Sequence, residues 1–272
     1  MIVIVLELVH LNIQLTVAVV SGAVALLSIL LSARANRSNT ELQACLQSEI
    51  GQRQVEATKS ARLEEVISRY RDPLLGSAFE LQSRIYNIVR GGFAGYLHSV
   101  DSAEHSYAVN STLFVIAQYM AWAEALRRGV QFLDLGDVER NRELVNRLEA
   151  IRSAFSTDTR FTGSFRIFRV EQRAIGEIML DESGMARQSS EILWQCIGYA
   201  AFCSKLDRDQ SFASWFARLD RDVRALAKDR GSDFTRLSGL QNSLMDLIDF
   251  LDDPPVRFPI SLRKRIMQVS GG

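Results

Sequence analysis

Three arginines recur at helical spacing in FRIFRVEQRAIGE, where Arg166, Arg169 and Arg173 would project from one side of a helix with Glu171 among them. Guanidinium is planar, always charged and carries five donors, so such a stripe suits phosphate or carboxylate. Phe165, Phe168, Ile175 and Met179 fall opposite and would face a core. Glu177 follows Arg173 by four, a spacing that permits a plain intrahelical ion pair. The stripe therefore reads either as a seat for anionic lipid or nucleotide phosphate, or as a solvated, self-paired helix face. Glu124 with Arg127 or Arg128 poses a similar choice, as lining of a polar pocket inside a helical bundle.

Other constellations carry less chemistry. His98, Asp101, Glu104 and His105 offer metal-capable atoms, but without HExxH spacing, and LHSVDSAEHSY reads as a loop between helices. GGFAG, at Gly91 to Gly95, lacks the strand, Lys and Ser/Thr of a P-loop and the dinucleotide-binding spacing, so it reads as a helix-ending hinge. No serine sits in GxSxG, and His10, His98 and His105 are few candidates for a base. Cys45, Cys196 and Cys203 are odd in number without CxxC, which argues against a disulfide framework. Cys196 and Cys203 would lie two turns apart on one helix as core thiols. Carboxylate pairs such as Asp246 and Asp249 read as chance neighbours in a chain with 32 acids. These patterns assign no catalytic residue, no metal and no cofactor.

What must position such residues begins with the run from Leu11 to Ala33, which has no charged residue and ends against Arg34 and Arg37. Its roughly 23 positions span about 34 Å as a helix, enough for a hydrocarbon core of about 30 Å. Ala33-Arg34-Ala35 fits a cleavage site, but the absent basic n-region and the length of the run favour a retained anchor over a secretory signal. Basic residues follow the run and do not precede it, so the N-terminus is expected outside and the rest in the cytoplasm, at the inner membrane.

Residues 37–71 are polar, helix-favouring and free of proline, the pattern of a stalk helix. Its apolar positions form only a broken heptad, so it could self-pair or bind a partner, or dock alone. Asp72-Pro73 should end or kink it. From there to residue 272, helices are expected over Asp137–Phe155, Ser164–Asp181, Ala186–Leu206, Phe212–Asp229 and Phe234–Leu251, with no convincing strand. Ser106 to Ala123 carries no charge, which fits a second span or the central helix of a bundle; Asn110, Ser111, Thr112 and Gln118 favour the latter. Arg263, Lys264 and Arg265 form a basic tail, either solvated or resting on an anionic leaflet.

The expected architecture is all-α: an anchor over 1–36, a stalk helix over 37–71 and an antiparallel multi-helix bundle over 72–272. Hydrophobic residues at 47% argue for a packed core, and 32 basic against 32 acidic residues remove any whole-molecule pull toward nucleic acid. The stretches RYRDPLLGSAFELQSRIYNIV, AQYMAWAEALRRGVQFLDL and FRIFRVEQRAIGE together resemble a group of bacterial proteins with one N-terminal membrane helix and an all-helical remainder. That resemblance implies the same architecture and brings no activity. Two functions follow: a membrane-tethered interaction or scaffold module without catalytic machinery, or a ligand sensor or enzyme with a polar pocket in the bundle. A concave pocket with converging buried polar groups separates them.

Overall fold

The computed structural model describes residues 46–55, 57–58, 68–129, 138–157, 165–181, 194–226 and 234–266, with Ser21, Gly22, Val24, Ser28, Ser32, Arg34, Asn36 and Gln43 before them. The chain divides into two compact units, Met1–Arg62 and Leu63–Gly272.

In the first unit every described residue is helical and exposed. Arg53 Nη2 meets Glu49 Oε1 at 2.9 Å, a pairing one turn apart that suits the polar composition of this stretch. Leu46, Ile50 and Val55 stand exposed beside it. Most of the expected anchor, Leu11 to Ala33, lies outside the described residues. Among the described residues no helix is long and apolar enough to cross a membrane, so the fold gives the expected membrane helix no support.

The second unit is a helical bundle. Helix α1 covers residues 68–89 and passes through Pro73 without ending there. A proline inside a helix forfeits one backbone hydrogen bond. Here the flanking residues Tyr70, Leu74, Leu75 and Ala78 are buried, and that burial outweighs the loss. The helix stops at the expected glycines, where Gly92 takes φ +78°, a conformation that side chains resist. A short helix α2, Ala94–Leu97, follows.

Helix α3, Ser102–Gly129, is the central element. Its buried positions run consecutively from Ser111 to Leu113, Val115 to Ala117 and Tyr119 to Ala121, so it is enclosed on more than one face. Two of the polar interruptions of the charge-free run are satisfied within the bundle: Arg84 Nη1 donates to Ser111 Oγ at 2.8 Å and to Thr112 Oγ1 at 3.2 Å, whereas the buried Gln118 Oε1 has no hydrogen-bond partner among the described residues. The helix begins inside the segment expected to be a loop, and so takes in His105, whose Nδ1 donates to the Leu97 carbonyl at 3.0 Å while Nε2 accepts from Arg224 at 3.0 Å.

Helix α4 is Val138–Ser156 and α5 is Arg169–Met179. The latter starts five residues later than its periodicity predicts, because tertiary bonds hold the preceding residues extended. Phe165, at φ 65°, donates its N–H to Asp222 Oδ2 at 2.7 Å, and Ile167 donates to the Phe155 carbonyl at 3.0 Å. Strand β1, Leu180–Asp181, pairs antiparallel with β2, Gln195–Cys196, where no strand was expected. Two-residue strands are too short to leave a period-2 pattern. Helix α6 accordingly begins only at Tyr199 and ends at Arg208, so Cys196 and Cys203 do not share a helix. Burial pushes the Cys196 thiol up to about 12, an inert core group.

Helices α7, Gln210–Ala225, and α8, Thr235–Leu251, complete the bundle. The α3 helix packs closely on α5, and α4 on α8. Of the basic tail, Arg263 and Arg265 are docked on α8 and Lys264 stays exposed. Arg263 bridges Asp249 and Asp252 at 2.8 Å each, and Arg265 bridges Asp246 and Asp249 at 2.6 Å each. The carboxylates read as chance neighbours in the sequence are thus the clasp that holds this segment.

Candidate ligand-binding cleft

Glu124 sits on α3 with its side chain only 3% exposed, and a charge so placed must be paired. Arg127 donates to it from Nη2 at 2.5 Å and from Nε at 2.7 Å, and Arg128 Nε donates at 2.8 Å. Burial works to raise its pKa, but the hydrogen bonds and charges of Arg127 and Arg128 outweigh it and hold the carboxyl below the usual range. Arg173 of α5 approaches with Nε at 3.9 Å. Arg128 continues outward to Glu177 at 2.8 Å and lies 5.0 Å from the centre of the Trp194 ring. Glu177 therefore pairs across α3 and α5 and not with Arg173.

The stripe splits at the helix start. Arg166 precedes α5 and stacks over Phe168 at 4.9 Å, with Arg218 over the same ring at 5.1 Å. Arg169 pairs with Glu149 of α4 and donates to Ser153 Oγ at 3.0 Å. The hydrogen bond from Arg169 holds the Glu149 carboxyl below the usual range, against the opposing effect of burial. Glu171 accepts from the Phe168 N–H at 2.9 Å, closing the first turn, and pairs with Arg218 at 3.2 Å. Arg166, Arg169 and Glu171 thus fasten the start of α5, whereas Arg173 and Glu124 line a cavity.

That cavity is a cleft of about 550 Å³ between α1, α3, α4, α5 and α8, within the size range of small-molecule sites. Its apolar wall comes from Met120, Leu144, Leu148 and Phe250. Five arginines, Arg71, Arg127, Arg140, Arg152 and Arg173, enter it from four helices, against two glutamates, Glu124 and Glu149. Gln172 ties α5 to α4, its Nε2 donating to the Arg152 carbonyl at 3.1 Å and to the Ile167 carbonyl at 2.8 Å.

Tyr119 lines the cleft at 3% exposure, and its hydroxyl is buried without a hydrogen-bond partner among the described residues. Burial pushes its pKa up, and the charge of Arg152 works in the opposite direction. A polar group left unsatisfied in this way costs about 1–3 kcal/mol. Tyr119 and Arg152 escaped the sequence reading because one lies inside an apolar run and the other abuts the apolar positions Leu148, Ile151 and Phe155. A charged or phenolic residue at the margin of a buried stripe was the available clue.

Chemically the cleft offers cations, two carboxylates, two amides, a phenol and hydrocarbon. None of the residues lining it is Ser, Cys or His, so no Ser–His or Cys–His pair is assembled there. Among the described residues no group of three or more His, Cys, Asp or Glu is placed to hold a metal. Comparison with protein-family models, with curated proteins and with solved structures yields no match.

Proposed function

We propose that the helical bundle is a ligand-binding sensor module whose site is the cleft between α1, α3, α4, α5 and α8. The observation that carries this reading is the convergence of arginines from four helices on an apolar cavity of about 550 Å³. Convergent polar groups in a mainly apolar concavity are what a small-molecule site requires and what a filled scaffold core lacks.

A thermal-shift panel of organic anions and neutral amphiphiles, run on the full chain and on Leu148→Trp, tests this reading. Ligands should raise the melting temperature of the wild type and fail to do so when the indole fills the cleft. Equal shifts in both proteins would move the site elsewhere.

The sensor would work at a membrane, tethered by residues 11–33 with its bundle in the cytoplasm. The charge-free run and the arginines that follow it support that placement. A reporter fused after Gly272 should be active only inside the cell, and activity only outside would reverse the orientation. Self-association through the stalk fits the exposed Leu46, Ile50 and Val55 of the first unit. Sedimentation of the full chain against Leu46→Ser and Ile50→Ser variants reads it directly, a monomer in every case arguing against it.

A further inference from the structure

We infer that the occupant of this cleft is an anionic amphiphile, its oxyanion held between Arg152 and Arg173 and its apolar chain laid against Leu144, Leu148 and Phe250. The inference rests on the ligand-binding reading of the same cleft.

Charge argues for the head group. The two glutamates of the cleft already serve other arginines, since Glu124 holds Arg127 and Arg128 and Glu149 holds Arg169. Arg152 and Arg173 are less fully used: each reaches a carboxylate only at 3.9 Å, beyond hydrogen-bond distance. A guanidinium presents five donors, which leaves both side chains able to clasp an oxyanion bidentately. They stand on adjoining elements, because Gln172, the neighbour of Arg173, donates to the Arg152 carbonyl at 3.1 Å. Tyr119, beside the cleft, lies near enough to Arg152 for that charge to act on it, and its buried hydroxyl has no hydrogen-bond partner among the described residues.

Hydrocarbon argues for the tail. Leu148 and Phe250 are only partly buried although both pack on the core, so they leave apolar surface facing the cleft. A bare phosphate would leave that wall wet, and a neutral hydrocarbon would desolvate the arginines without replacing their partners. A molecule with both parts satisfies both walls. Its source can be a free acyl carboxylate in solution or an anionic phospholipid of the bilayer, which share this chemistry.

Equilibrium dialysis of radiolabelled dodecanoate and dodecanol at pH 8 tests the inference, using the full chain in phosphatidylcholine nanodiscs with empty discs subtracted. Dodecanoate should bind at least about tenfold more tightly than dodecanol. Arg152→Gln and Arg173→Gln should each weaken dodecanoate about tenfold, whereas Arg142→Gln, on α4 but not lining the cleft, should leave it unchanged. Equal binding of the two probes, abolished by Leu148→Trp, would overturn the anionic class and leave the cleft reading standing. Uptake of neither probe by a chain of intact helix content would overturn both. Discs of phosphatidylglycerol that suppress dodecanoate uptake would assign the ligand to the bilayer, and unchanged uptake would assign it to solution; an anionic head is upheld in either case.

Discussion

Gly176 of α5 lies so close to the Met120 carbonyl of α3 that a Cβ at this position would stand 2.5 Å from the oxygen. The same Cβ would meet the Glu124 side chain at 2.9 Å, so the crossing also sets how near Arg173 comes to that carboxylate. Gly176→Ala should force the two helices apart and destabilise the bundle by about 1–3 kcal/mol, the usual cost of overpacking. Urea unfolding reads this directly, and an unchanged midpoint would contradict so close a crossing.

Tyr119→Phe should act in the opposite sense. Removing a buried hydroxyl that has no partner relieves its desolvation cost, so the ligand-free variant should gain up to about 1–2 kcal/mol. A variant less stable than the wild type would imply that the hydroxyl is satisfied in solution.

The clasp after α8 makes stability depend on acid. Burial tends to raise the Asp252 pKa, but the N–H groups of Phe258, Arg257 and Val256 and the charge of Arg263 hold it low. The Asp249 carboxyl is likewise held low, with burial opposed by Arg263 and Arg265. Carboxylates depressed on folding contribute fully above the unfolded value of about 3.9, and that contribution is lost as pH falls through the lower folded value. Both partners in the Asp252–Arg263 pair are at most 8% exposed. Asp252→Asn should therefore cost about 3 kcal/mol at pH 7, and the gap from wild type should narrow below pH 4. Urea midpoints at pH 7 and pH 3 settle the sign.

Periodicity was enough to place α4, α7 and α8 to within a few residues, and the charge-free run was legible as the bundle's central helix. Elements set by long-range bonds were not. Nothing local announces that Phe165 would bond Asp222, 57 positions away, or that Cys196 would pair with Leu180 in a strand. The arginine stripe was visible as a stripe, yet whether each guanidinium faces a partner or a cavity depends on which helix lies opposite. Arg169 found Glu149, whereas Arg173 was left at the edge of Glu124. Arg152, twenty positions upstream of Gln172 in a different helix, could join the site only through the α4 and α5 packing.

The location of the bound molecule is the most direct test of the cleft. A photoreactive dodecanoate carrying a diazirine in its chain, irradiated with the full chain in phosphatidylcholine nanodiscs, leaves a covalent mark that peptide mass spectrometry can read. Label should concentrate on α4 around Leu144 and Leu148 and on α8 around Phe250, and should disappear in Leu148→Trp. Label confined to residues 1–62, or undiminished in Leu148→Trp, would contradict a ligand site in the cleft.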